Sequence, residues 1–404
     1  MRARFLVAML AASQVCAQDV PGKAAEAKTT IEQIKESVVF LETHWSDSNV
    51  SSTRADDCDP NKGHKCEVGT GFLIFKELPE LGKDQNGDGL GIDYLVTAKH
   101  MIRQVKSDHQ PGPYAQYSIA RLNTVKPVDA TGKSWTTFAS DILNARGDLG
   151  WFTDTSDPIA DVVLTPINLN EALEFKTTSI SQFATKNVIK ELHVNENDEV
   201  FFTGLFTNYF GALKNYPIVR HGKLALLTDE HLQAEPTAPG KKTDIFLAEV
   251  TSFGGNSGSP VFLRIGPLRE GLDINMRLGY QYYLLGVMQG FISDQEAKQN
   301  AGIATIVPAD KILDILASDD ARAYEARFVA HFLAERGDFK GAESKFRESI
   351  SILERVAPES SQLVTTLRDF AAMLQKAKRL EDAKKVLAKA DSIASKPVST
   401  APQP

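Results

Sequence analysis

The sequence predicts a mainly β chain that ends in a small all-α domain, and three observations carry that prediction. From residue 36 to about 308, roughly twelve short β-branched and aromatic runs alternate with Gly, Pro, Asn and Asp clusters, the pattern of an antiparallel all-β domain. That number suits a pair of barrels or a large sandwich. After Pro308 the punctuation changes, and from Ala321 to Ala394 a single proline interrupts strong helical periods. Within that stretch Phe339-Lys340-Gly341-Ala342-Glu343 recurs 41 residues later as Leu380-Glu381-Asp382-Ala383-Lys384, a repeat signal.

In chain order, the first segment is a leader. Arg2 and Arg4, the apolar run Phe5 to Ala12 and then Val15-Cys16-Ala17 have the three parts of a secretory signal peptide, with cleavage expected after Ala17. Gln14 and Val15 are poor residues to precede a lipid-modified Cys16, which disfavours a lipoprotein. Residues 18–33 form a lead-in. No later stretch approaches the roughly 18 consecutive apolar residues of a membrane span, so the mature chain is expected to be exported, periplasmic or secreted. Among 404 residues, 45 basic and 52 acidic side chains give a net charge of −7, which argues against a nucleic-acid partner. Cys58 and Cys66 lie in a turn-rich segment that an oxidising compartment would bridge. A metal there would need more ligands than the nearby His64 supplies.

The most informative stretch is Phe253-Gly254-Gly255-Asn256-Ser257-Gly258-Ser259-Pro260. A serine flanked by glycines sits where the backbone turns tightly, so its hydroxyl projects while nearby N–H groups stay free. The amides of Gly255 and Ser257 could then converge on an oxyanion. Serine is a poor nucleophile without a positioned base. His100 is the candidate, because Leu95-Val96-Thr97-Ala98-Lys99-His100 carries it from a strand into a small-residue turn. The other histidines, His44 among them, lie in polar or loop contexts and are expected to face solvent or bond locally. Asp161 opens the apolar run Asp161-Val162-Val163-Leu164 and is the acid expected to be carried inward. Asp148, Asp154 and Asp157 sit in polar turns and rank below it.

The order His100, Asp161, Ser257, with spacings of 61 and 96 residues, is that of one class of serine hydrolase and not of two others. Here the chain resembles the chymotrypsin-like serine peptidases, particularly bacterial trypsin-like enzymes of the HtrA and glutamyl-endopeptidase types. The match spans about residues 34 to 316. It includes Ser37-Val38-Val39-Phe40, Gly69-Thr70-Gly71-Phe72, Thr97-Ala98-Lys99-His100, Asp161-Val162-Val163-Leu164, the Ser257 loop, Leu285-Gly286-Val287 and Gly302-Ile303-Ala304-Thr305. The resemblance implies two six-stranded β-barrels, a catalytic triad of His100, Asp161 and Ser257 in the cleft between them, a protein or peptide substrate, and no cofactor.

Departures from the family sharpen the expectation. No PDZ domain follows the peptidase region. Asn256 stands where animal digestive enzymes carry an aspartate that captures a new N-terminus, so the oxyanion loop is expected to form without zymogen cleavage. The strand Gly286-Val287-Met288-Gln289-Gly290-Phe291 lacks the histidine that glutamyl endopeptidases use, so glutamate specificity is not expected. Thr251, Gln289, Gly290 and Phe291 are the expected pocket walls. Asp84-Gln85-Asn86-Gly87-Asp88-Gly89 imitates the start of a calcium loop, but Leu95 occupies the twelfth position, and a polar hairpin explains the residues more simply.

Residues 321–395 resemble long tetratricopeptide repeats, with Ala342 and Ala383 where helices approach closely. Two such units are few, so they are expected to lean on the β-domain or on a second chain, as a docking or self-association module. Residues 396–404 read as a tail without structure. The rival from another class is a scaffold that keeps the peptidase fold and acts through its repeats. The presence of all three triad residues disfavours it.

Overall fold

The computed structural model describes residues 28–46, 64–105, 111–207, 209, 211–234, 238–266, 279–294 and 299–396. The leader, Cys58 and all of the tail beyond residue 396 lie outside them.

After the short helix α1 (Thr30–Lys35), the first half of the chain builds β1 (Val38–Ser46), β2 (His64–Glu77), β3 (Gly91–Thr97), β4 (Arg103–Val105), β5 (Pro111–Tyr114), β6 (Tyr117–Asn123), β7 (Trp135–Asp141), β8 (Phe152–Thr153), β9 (Val163–Pro166) and β10 (Thr178–Ser179). Eight of these form one sheet in the order β7-β6-β1-β2-β3-β9-β8, with β10 alongside β2, while β4 and β5 pair separately. Helix α2 (Lys186–Glu191) leads into β11 (Glu199–Gly204), β12 (Ile218–Leu226), β13 (Leu232–Ala234), β14 (Ala238–Thr243), β15 (Phe246–Glu249), β16 (Pro260–Ile265), β17 (Gln281–Asp294) and β18 (Gln299–Pro308). Six of them close into a barrel, β11-β12-β15-β18-β17-β16.

Side chains two apart along a strand share a face, and this period divides the core. Leu73 of β2 and Leu95 of β3 point into the first sheet's own core with Val39, Leu41, Trp45 and Ile142. Their neighbours Phe72, Ile74, Tyr94 and Val96 point the other way, into a core shared with Phe201, Phe262, Leu284 and Val307 of the second barrel. Val200, Phe202, Val261 and Leu263 alternate with those residues and fill the second barrel's interior. A closed six-stranded barrel and a further sheet that share one core, followed by a helical domain, fit the chymotrypsin-like double barrel that the sequence predicts, with the first sheet standing as the first barrel. The arrangement differs from the two six-stranded barrels of the resemblance in its first half, where the strand order runs open from β7 to β8 among the described residues.

Helix α3 (Asp310–Leu316) packs Ile312, Ile315 and Leu316 into the shared core. Four longer helices follow: α4 (Asp319–Glu335), α5 (Phe339–Val356), α6 (Ser361–Lys376) and α7 (Leu380–Ala394). Ser318, Asp338 and Ser360 cap the first three, each accepting a bond from a first-turn N–H. Ala342 and Ala383 are buried where two helices meet. The 41-residue offset also relates two left-handed residues, Gly337 at φ 82° and Lys378 at φ 61°. A lysine pays for that conformation and a glycine does not, so Lys378→Gly should stabilise the chain by about 0.5–1 kcal/mol. A urea melt checks this; a midpoint that stays put or falls would show Lys378 to be unstrained.

The apolar residues at helical spacing in this region pack helix against helix only in part. Phe346, Phe370 and Leu374 pack among the helices. Phe328 and Phe332 of α4 instead turn to the shared core of the barrels. Polar contacts fix the same junction: Lys76 of β2 pairs with Glu325 at 2.6 Å, and the Tyr94 hydroxyl donates to the same carboxylate at 3.0 Å. At the other end Asp148 accepts the Ser361 N–H at 2.6 Å, and Arg146 donates to the Ala394 carbonyl at 3.1 Å. The helices therefore lean on the first barrel.

Candidate active site

Strand β3 ends at Thr97, and the chain then makes a single 3-10 turn over Lys99–Met101 that turns His100 toward the seam between the barrels. Asp161, just before β9, is almost wholly buried and meets it. The Asp161 carboxylate accepts from His100 Nδ1 at 2.7 Å through one oxygen and from the His100 backbone N–H at 2.8 Å through the other. A carboxylate can only accept, so Nδ1 carries the proton and Nε2 is left with its lone pair. Burial alone would lower the imidazole's proton affinity, but the Asp161 charge and hydrogen bond outweigh it, and the His100 pKa is raised. The pull on Asp161 has the opposite sign: burial raises its pKa, while His100 and Lys99 hold it below the usual carboxylate range.

Lys99 is a member of this group that the sequence did not reveal. Its ammonium donates to the carbonyls of Pro158 and Ala160, both at 2.6 Å. The residue before His100 thus grips the turn of chain that leads to Asp161. The lower-ranked acids have other employment. Asp157 pairs with Lys311 at 2.8 Å and accepts from Thr243, Asp154 accepts from the Ser156 N–H, and Asp148 holds Ser361.

Ser257 follows a turn in which the Asn256 N–H donates to the Phe253 carbonyl at 3.1 Å. The third residue of that turn, Gly255, has φ 92°, the geometry of a type II turn, which is strained for any residue with a side chain. A Cβ there would also lie 2.8 Å from Thr207 Cγ2. Asn256 is buried and locks the turn from within: its Oδ1 accepts the Phe253 N–H at 2.9 Å and its Nδ2 donates to the Leu205 carbonyl at 2.7 Å. Thr70 braces the opposite side, donating its hydroxyl to the Gly255 carbonyl and accepting the Leu205 N–H, each at 2.8 Å. A buried threonine between Gly69 and Gly71 was the available signal for that role. The Ser257 hydroxyl donates to the Gln289 carbonyl at 3.3 Å, its one hydrogen bond among the described residues.

Two cavities flank Ser257 and share His100, Glu67, Phe253 and Gly254. One, of about 390 Å³, is walled by Gln289, Gly290 and Phe291 together with Ser252 and Gln104. Thr251 is not part of it: the residue is exposed and lines neither cavity, because the chain turns inward only at Ser252. The other, of about 550 Å³, lies against Val68, Met101, Phe206 and Thr207.

The remaining candidates resolve differently. In the calcium-like segment Asp84 accepts the N–H groups of Asn86 and Asp88, each at 2.8 Å, which closes a polar hairpin. His44 is buried and not solvent-facing, and stacks on Tyr117 with ring centroids 4.4 Å apart. Its Nδ1 lies 3.4 Å from Cys66 Sγ and its Nε2 2.6 Å from Glu42. Among the described residues Glu42, His44 and Cys66 bring their ligand atoms within 4.8 Å of one another. No helix among the described residues is long and apolar enough to cross a membrane.

No protein-family model matches the chain, and no curated protein matches it. Among solved structures it is similar to the inactive form of the Rv3671c protease of M. tuberculosis H37Rv, at 14% identity over 70% of this chain and 89% of that one, with a TM-score of 0.35. It is also similar to the thermostable serine protease AL20 of an extremophilic microorganism, at 10% identity over 70% and 95% of the two chains with a TM-score of 0.34. The Drosophila Grass clip serine protease of the Toll pathway gives 9% identity over 74% and 72%, with a TM-score of 0.36. These neighbours are chymotrypsin-like serine proteases. Overlap at this level carries no argument by itself, and the fold assignment stands on the strand order and the divided core.

Proposed function

We propose that the protein is an exported serine endopeptidase that cleaves peptide bonds through an acyl-enzyme. The observation that carries this reading is the His100–Asp161 pair, bonded through both carboxylate oxygens, in one cleft with a serine whose preceding turn is locked open. In the reaction the Ser257 hydroxyl leaves the Gln289 carbonyl and donates to the lone pair of His100 Nε2. His100 takes the proton as the oxygen attacks the substrate carbonyl, and the N–H groups of Gly255 and Ser257 stabilise the oxyanion. The leaving amine then receives that proton, and water repeats the sequence on the acyl-enzyme. Asp161 holds the imidazole in the required tautomer and offsets its charge. A disulfide between Cys58 and Cys66 and a partner for the helical region belong to the same proposal.

The test is a fluorophosphonate probe applied to the purified protein, with the modified residue mapped by mass spectrometry. Labelling at Ser257 supports the reading; an unlabelled protein, or a label elsewhere, overturns it. The pH profile supplies a second check. The base works only when neutral, and its pKa is raised, so kcat/KM should fall as pH drops through a limb above 6.5, the ordinary imidazole value. A limb at or below that value would remove His100 from the role.

A further inference from the structure

The cavity on the Val68 side of Ser257 has a chemistry that the proposed reaction does not require. Val68 and Phe253 are 43% and 44% exposed, a large apolar exposure beside a catalytic cleft. Phe206 completes the wall, stacked on Tyr209 with centroids 5.6 Å apart and tilted against Phe253 at 6.2 Å. The Arg220 guanidinium sits 4.5 Å from the Phe253 ring centre and steadies that ring from its other side.

This wall is anchored at both ends. Phe206 and Thr207 open the connection between β11 and β12, whose described residues reach across to the edge of the first sheet. There Ser134 donates its N–H to the Leu213 carbonyl, Trp135 donates Nε1 to the Ala212 carbonyl, and Asn123 and Asn215 bond each other. The near end is held by Thr70 and Asn256 through Leu205, the same two residues that fix the oxyanion turn.

We infer that this aromatic wall is the binding site for the leaving-group half of the substrate, and that it selects a bulky apolar side chain in the first or second residue after the scissile bond. The inference rests on the peptidase reading of Ser257. If the acyl half lies along Gln289, Gly290 and Phe291, the amine that takes its proton from His100 departs on the opposite side of the serine. That side is the apolar cavity, continuous with the cleft through His100 and Gly254. Its occupant is therefore an extended, apolar polypeptide segment, such as an unfolded chain presents, and not an acidic or glycine-rich one.

The test uses the acyl-enzyme. A single ester substrate acylates Ser257, and phenylalanine amide, leucine amide, glycine amide and aspartic acid amide compete with water for the acyl group, so that only leaving-group binding is read. The full-length protein should transfer to the two apolar amides about 10-fold more readily than to glycine amide, and least to aspartic acid amide. Phe206→Ser and Val68→Ser should each lower the phenylalanine-to-glycine ratio several-fold. Equal transfer to all four amides, or a ratio that neither substitution changes, overturns the inference while leaving a working hydrolase. If no acyl-enzyme forms and no fluorophosphonate label attaches, the peptidase reading has failed, and this inference falls with it.

Discussion

Ser257→Ala should abolish peptide hydrolysis, lowering kcat by about six orders of magnitude, because the residues of such a unit lose nearly the whole effect together. Among the described residues the hydroxyl makes only one hydrogen bond, to the Gln289 carbonyl, so its loss should leave the melting temperature nearly that of the parent. His100→Ala should cost about as much. Asp161→Asn should leave a small residue of activity, about 10⁴-fold down, since an amide in its place lets the imidazole keep its position but favours the wrong tautomer. Activity surviving in the Ser257 variant would refute the assignment outright. If Asp157→Asn were the damaging change instead, the Lys311 cluster would hold the true partner.

The second large effect should come from a residue that touches no substrate. Asn256→Ala removes the acceptor for the Phe253 N–H and the donor to the Leu205 carbonyl, two bonds that fix the turn before Ser257, from which the proposed oxyanion amides come. Oxyanion contacts strengthen only in the transition state, so kcat should fall by about 10²–10³ while KM changes little. Asn256→Asp is the informative companion. It keeps an acceptor, loses the donor and buries a charge against a carbonyl, and it should be no better than alanine. Steady-state kinetics on one peptide decide the matter. A kcat within threefold of the parent would show that Thr70 alone holds the turn.

Much of this arrangement was legible in the sequence, for reasons that differ between residues. The turn around Ser257 announces itself because only glycine accepts the φ of position 255, and His100 and Asp161 stand at the edges of apolar runs that must enter strands. What could not be read is set by direction and by distant partners. Thr251 and Ser252 look equally suitable as pocket walls until the backbone shows which one faces the cleft. Lys99 reads as a surface lysine, yet its ammonium is spent on the carbonyls of Pro158 and Ala160. Phe328 and Phe332 have helical spacing, and periodicity cannot say whether the surface opposite is a helix or a barrel. The repeat offset was visible because it recurs at one period, down to the left-handed turns at Gly337 and Lys378.

The contact between Lys76 and Glu325 spans 249 residues of sequence. During synthesis the strand that carries Lys76 emerges first, and at roughly 5–20 residues per second it waits about 10–50 s for the helix that completes its outer face. Through that interval the Lys76 ammonium and the Tyr94 hydroxyl lack their carboxylate partner, whereas His100, Asp161 and Ser257 have all been made. Chain order thus places every residue of the cleft ahead of the helix whose carboxylate braces β2 and β3 from outside.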